Sequence, residues 1–132
     1  MAFVDTSFWI AEVIRRDSRH ADAVALADQL RGVPAVTSNL VLGEVWTLLS
    51  HRLGHFHAMN WLDRFRNELA VRVERVEADL EMEAWEWLRA HDERPYSFVD
   101  ATSFALMRKL RIREALAFDG DFAAAGFVEL RP

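Results

Sequence analysis

The chain has 132 residues, enough for one domain with a real core, and at 52% hydrophobic and 28% charged it reads as soluble and globular rather than disordered. It contains no cysteine, which excludes disulfides, thiolate metal sites and a cysteine nucleophile. A net charge of −5 argues against an overall basic nucleic-acid binder, although that sum includes acids that a cation would neutralise locally.

In chain order, Ala2-Phe3-Val4 is an apolar opening that reads as a short buried strand closed by Asp5. No basic segment precedes a long apolar run, so neither export nor membrane insertion is indicated and a cytoplasmic setting is expected. Ser7 to Ile14 reads as a helix, and His20 to Leu30 as a second, started by Asp17 or Ser18 and stopped by Gly32. Between them Arg15, Arg16 and Arg19 form the densest positive group of a chain whose only lysine is Lys109. A solvated helix end explains that group more simply than a dedicated RNA contact. Pro34 opens a strand at Ala35 to Thr37. From Asn39 to Leu53, Val41, Val45, Leu48 and Leu49 follow helical spacing as far as Gly54, and Phe56 to Asn67 is the next helix. Ala70 to Val76 alternates apolar and charged residues, which suits a strand near an edge. A helix from Ala78 to His91 presents Leu80, Ala84, Trp87 and Leu88 on one side. A loop around Pro95 leads to a helix from Phe98 to Leu110, and strands near Ala115 to Phe118 and Val128 to Leu130 close the chain. Strands alternating with helices predict a mostly parallel sheet covered on both faces. No repeat, low-complexity tract or linker divides residues 1–132, so a single domain is expected.

Four acids stand out against this pattern. Asp5 and Asp119 each follow an apolar strand, Asp100 falls in the first turn of a helix and Glu44 in the first half of another. In an open parallel sheet, strand C-termini and the following helix N-termini share one edge, where ligands bind. Each acid has an ordinary explanation. Glu44 could pair with Arg52, Ser97-Phe98-Val99-Asp100 is a capping-box pattern, and Asp5 or Asp119 could begin a turn or cap a helix. Together they repel one another unless a cation intervenes, and a hard ion such as Mg²⁺ or Mn²⁺ takes oxygen ligands of this kind. Such an ion could align water against a phosphodiester. Elsewhere, Gly54 is expected to break any shared face of His51, His55 and His57, which leaves them ordinary surface or turn residues. Most of the tryptophans read as core, whereas Trp61, Phe65 and Trp85 are assigned to a partner surface.

The segments Phe3-Val4-Asp5-Thr6-Ser7, Leu42-Gly43-Glu44-Val45, Tyr96-Ser97-Phe98-Val99-Asp100-Ala101 and Leu116-Ala117-Phe118-Asp119-Gly120-Asp121-Phe122 resemble the PIN-domain signature, with VapC-type toxins of bacterial toxin–antitoxin pairs as the nearest likeness. The resemblance covers essentially the whole chain, including Ala125-Gly126-Phe127. It implies a three-layer α/β/α sandwich, Mg²⁺- or Mn²⁺-dependent endoribonuclease activity on RNA, a homodimer, and a cognate antitoxin that fills the active-site groove. By position, Asp5, Glu44 and Asp100 would hold the metal or its water, with Asp119 completing the quartet. Thr6 or Ser7 would hydrogen-bond within the cluster, and Ser97 would set the turn that presents Asp100. Asp121 is a departure from the pattern; either aspartate could be the fourth ligand, and Asp119 is favoured because it ends the strand.

Two other classes remain. An aspartyl phosphotransferase with Asp5 as nucleophile is disfavoured, because Asp5-Thr6-Ser7 lacks a second acid two residues on and the chain offers one lysine. A non-catalytic module that binds RNA or a protein, its acids serving as caps, is the other.

Overall fold

The computed structural model describes residues 1–132, the side chain of Glu68 excepted. Its strands are β1 (Ala2–Val4), β2 (Ala35–Ser38), β3 (Val71–Glu74), β4 (Glu114–Leu116) and β5 (Val128–Glu129). The helices are α1 (Thr6–Val13), α2 (His20–Gln29), α3 (Asn39–Leu53), α4 (His55–Glu68), α5 (Ala78–Ala90), α6 (Phe98–Leu110) and α7 (Asp121–Ala124). Among the described residues the strands form one parallel sheet in the order β3-β2-β1-β4-β5. All of β1 is buried, in keeping with its central place and its unbroken apolar sequence. The strands run outward from β1 first one way and then the other. Right-handed crossovers therefore put α1 to α4 on one face and α5 to α7 on the opposite one. The packing follows suit: α1 lies on α2 and α3, α3 on α4, α5 on α6, and α6 on α7. The result is a three-layer α/β/α sandwich whose chain reverses direction between β1 and β4.

Each face has an aromatic centre. On the first, Trp9 of α1 meets Trp61 and Phe65 of α4 edge-on at 6.0 and 5.6 Å between ring centroids. On the second, Phe104 of α6 gathers Trp87, Tyr96 and Phe122 at 5.1, 5.7 and 5.0 Å. Trp61 and Phe65 are thus not a partner surface. They are 3% and 6% exposed, because α4 turns that stripe inward onto Trp9 and leaves Phe56 and Met59 facing water. Trp85 does remain 46% exposed, one face of its ring stacked on Phe98 at 4.3 Å.

Element ends depart from the sequence reading where side chains take over backbone groups. β3 is shorter than Ala70 to Val76, because the Val76 N–H donates to Asn39 Oδ1 at 2.8 Å instead of continuing the ladder. β4 ends at Leu116 rather than Phe118. The Phe118 N–H donates to Ser7 Oγ at 3.0 Å, and Arg131 Nη1 donates to the Ala117 carbonyl at 2.8 Å. Asp119 therefore lies three residues beyond its strand. α2 has Arg19 at its N-cap with no side-chain bond; Asp17 Oδ1 instead accepts the Arg19 N–H at 2.8 Å. Gly54, with φ +94°, breaks α3 from α4 as its position suggests. α7 was not anticipated, being a single turn entered through Gly120 at φ +82°. Among the described residues no helix is long and apolar enough to cross a membrane.

Candidate metal and active site

β1 and β4 diverge into helices on opposite faces, which opens a crevice at their C-terminal ends, the usual ligand position in such sheets. A cleft of about 530 Å³ lies there, lined by Asp5, Glu44, Asp100 and Asp119 together with Thr6, Ser7, Ser97 and Asp121. Every acid and supporting residue singled out in the sequence thus faces one cavity. Within it Asp100, Asp119 and Asp121 form the tightest group, each offering a carboxylate oxygen within 4.8 Å of the others. Asp5 and Glu44 line the same cleft outside that group. Among the described residues His51, His55 and His57 form no comparable cluster.

The backbone explains how each side chain arrives. Asp5 is the N-cap of α1: its Oδ2 accepts the Ser7 N–H at 3.1 Å and Ser7 Oγ at 2.7 Å. Ser7 Oγ also accepts the Phe118 N–H, so one hydroxyl ties the exits of β1 and β4 together. Ser97 and Asp100 form a complete capping box: Asp100 Oδ2 accepts the Ser97 N–H at 3.0 Å, and Ser97 Oγ accepts the Asp100 N–H at 2.9 Å. Asp119 Oδ1 accepts the Asp121 N–H at 3.1 Å. Among the described residues, Asp5, Asp100 and Asp119 each commit one oxygen to the protein and leave the other open. Glu44, half-buried on the cleft face of α3 one turn before Leu48 and two before Arg52, makes no ion pair among the described residues, so the bridge to Arg52 does not form. Thr6 Oγ1 is buried in the cleft wall with no partner, and Ser7 supplies the hydrogen bonds the sequence assigned to either residue.

Electrostatics follow from this crowding. Burial, then the charge of Asp119, pushes the Asp5 carboxyl up to about 8 against the opposing Ser7 hydrogen bonds, with a smaller contribution from Asp100. Asp100 is raised to about 6, chiefly by burial, while Asp119 and Asp121 add to the rise and Ser97 resists it. Asp119 is also raised, first by partial loss of its hydration and then by the charges of Asp121 and Glu129. A site in which the acids inhibit one another's ionisation is one that a cation would stabilise.

Two participants escaped sequence reasoning. Glu129 on β5 reaches back to accept the Gly120 and Ala123 N–H groups at 3.3 and 3.0 Å, fixing the loop that carries Asp119 and Asp121. Arg94 binds Asp121 from a different loop. No periodicity or cap motif marks either residue: Glu129 reaches back six and nine positions to the loop before its own strand, and Arg94 acts across 27. Ser97 allows a direct check: Ser97→Ala removes one N-cap bond, and urea unfolding should register a loss of about 1 kcal/mol. The Ser97 N–H still holds Asp100 in that variant, so Mn²⁺ affinity should fall by no more than roughly tenfold in calorimetry.

A model of the PIN domain matches residues 2–128. The chain is 59% identical over 132 residues, covering 100% of its own length and 99% of the relative's, to VapC20 of Mycobacterium tuberculosis, a 23S rRNA-specific endonuclease. The crystal structure of M. tuberculosis VapC20, described as a sarcin–ricin loop cleaving toxin, superimposes with a TM-score of 0.93 at 57% identity and full coverage of both chains. FitAcB from Neisseria gonorrhoeae shares the fold alone, with a TM-score of 0.71 at 14% identity over 98% of this chain and 96% of that one. Sheet order, acid placement and a family match over nearly the whole length agree: the chain belongs to the PIN-domain family.

Proposed function

We propose that this protein is a Mg²⁺- or Mn²⁺-dependent endoribonuclease, the toxin of a toxin–antitoxin pair, and that it cuts 23S rRNA in the sarcin–ricin loop. The observation that carries the nuclease reading is the convergence of Asp5, Glu44, Asp100 and Asp119 on one cleft where the sheet reverses. Full-length similarity to VapC20 supports the choice of RNA. The donor set suits a hard divalent ion: the cleft lining offers carboxylate and hydroxyl oxygens and no histidine, the Thr6 hydroxyl is unpartnered, and the acids resist ionising side by side.

Asp5, Glu44, Asp100 and Asp119 would hold the ion through their open oxygens, with Asp121 the alternative to Asp119. When bound, a divalent cation neutralises the carboxylates and acidifies water enough for attack on a phosphodiester at neutral pH. Ser7 and the Ser97 backbone fix the rotation of Asp5 and Asp100, so the open oxygens are oriented before substrate arrives. Thr6 and Phe118 form part of the cleft wall beside the acids. Residues 1–132 act as one catalytic domain in the cytoplasm. The protein works as a homodimer, and a cognate antitoxin silences it by offering the open carboxylates a cationic side chain.

The test is to incubate purified, antitoxin-free protein with intact 23S rRNA in Mg²⁺, Mn²⁺ or EDTA and to map new ends by sequencing. A discrete cut in the sarcin–ricin loop that EDTA abolishes is the expected result. Folded, Mn²⁺-loaded protein that leaves the RNA whole would remove the nuclease reading.

A further inference from the structure

A carboxylate site that acts on RNA faces an electrostatic problem, because acids and phosphates repel, and some fixed cation must meet the backbone beside the acids. Arg19 and Arg52 line the cleft. The Arg19 guanidinium is held at 3.1 Å by Asp22, which does not line the cleft, and Arg52 is exposed in the last turn of α3 with no contact among the described residues to hold it. Arg94, in the loop between α5 and α6, differs from both. Its Nε and Nη2 lie 2.9 and 2.8 Å from Asp121 Oδ1, and Nη2 is 3.4 Å from the Asp119 carbonyl oxygen. The guanidinium rests against Gly120, where an added Cβ would come within 3.5 Å of Nη2. Nη1 has no partner among the described residues, and the side chain is 40% exposed.

The anchor matters because Asp121 belongs to the same group of carboxylates as Asp100 and Asp119, whose oxygens lie within 4.8 Å of one another. Arg94 does not itself line the cleft, but a guanidinium bonded to Asp121, which does, is a fixed positive charge at the edge of the acid cluster. With Nε and Nη2 held by Asp121, Nη1 is the nitrogen left to donate to a phosphate oxygen, on a side chain whose rotamer is already restrained. Resting on the nuclease reading above, we infer that Arg94, oriented by Asp121, is the residue that binds an RNA backbone phosphate beside the acids, and that Asp121 serves as its anchor while Asp119 faces the metal.

The probe is a synthetic hairpin with the sarcin–ricin loop sequence, its binding measured in the Asp5→Asn background so that cleavage does not interfere. Arg94→Gln should weaken binding about tenfold and flatten the dependence of log affinity on log salt by roughly 0.7 to 1. Arg94→Lys, which keeps the charge but not the fork, should recover part of the loss. Asp121→Asn should weaken binding by a smaller factor and add nothing to Arg94→Gln. Mn²⁺ affinity of the Arg94→Gln single variant, read by calorimetry without RNA, should not fall below wild type, because this arginine is no ligand of the ion and its positive charge opposes a cation. Unchanged RNA affinity and salt slope in Arg94→Gln overturn the inference. So does a loss of Mn²⁺ affinity with RNA binding intact, which would make Arg94 a structural clamp on the acid loops. Should wild type bind the hairpin through Arg94 yet cut nothing, the phosphate contact stands and the nuclease reading falls.

Discussion

Replacing Asp5 by Asn is expected to lower RNA cleavage by about 10³-fold or more while leaving the fold intact. Asparagine is nearly isosteric and is itself a good N-cap, and its carbonyl can accept the Ser7 bonds that Asp5 Oδ2 accepts now. What disappears is the negative charge, the one property that holding a cation requires. Asp100→Asn should behave alike, since an amide oxygen can still accept the Ser97 N–H. Cleavage of the hairpin under single-turnover conditions, with circular dichroism as the folding control, reads both effects. Full activity in either variant would remove the proposed mechanism.

The second large effect is a stability that depends on pH and on metal. In the unfolded chain Asp5 loses its proton near the ordinary carboxylate value of 3.8, whereas in the folded protein it keeps it up to about 8. Between those values the folded state binds more protons, so stability is greatest at the acidic end of the window and falls as pH rises towards 8. Asp100 adds a smaller loss between 3.8 and about 6. Thermal melts in EDTA should therefore show the melting temperature dropping from pH 6 to pH 8. At roughly 1.4 kcal/mol per pKa unit the loss is on the order of 2 kcal/mol, or about 5–10 °C. Asp5→Asn should flatten that slope. Saturating Mn²⁺ should also flatten it and raise the melting temperature at pH 8, because an ion that binds only the folded acids stabilises them by mass action. A melting temperature indifferent to pH in EDTA would mean that Asp5 is not the buried, protonated acid described above.

The acids were legible because each sits at a position that local rules mark. Asp5 directly follows an apolar strand and Asp119 an apolar run of which only the first part is strand, and Asp100 falls three residues after a capping serine. Helical spacing likewise put Glu44 beside the buried stripe of α3. Periodicity was less informative about Trp61 and Phe65: their separation of four says that they share a face of α4 but not that Trp9 covers it. The reach of Glu129 to the Gly120 loop, and of Arg94 to Asp121 across 27 positions, had no local signal at all. Arg94 meets a charge supplied by a different crossover, and Glu129 meets the backbone of the turn that leads into its own strand, information that exists only once the sheet is assembled. The single turn of α7 is too short for any period to register.

Because all the strands are parallel, the two chain ends leave the fold at opposite edges of the sheet. Met1 precedes the buried start of β1, at the strand edge opposite the acids, whereas Arg131 lies over the Phe118 ring at 5.1 Å and donates to Ala117. A tag attached after residue 132 would emerge next to the cleft and crowd its mouth, while one placed before residue 1 would trail from the other strand edge. Affinity handles, fluorophores and surface tethers for binding work on this protein therefore belong at the amino end.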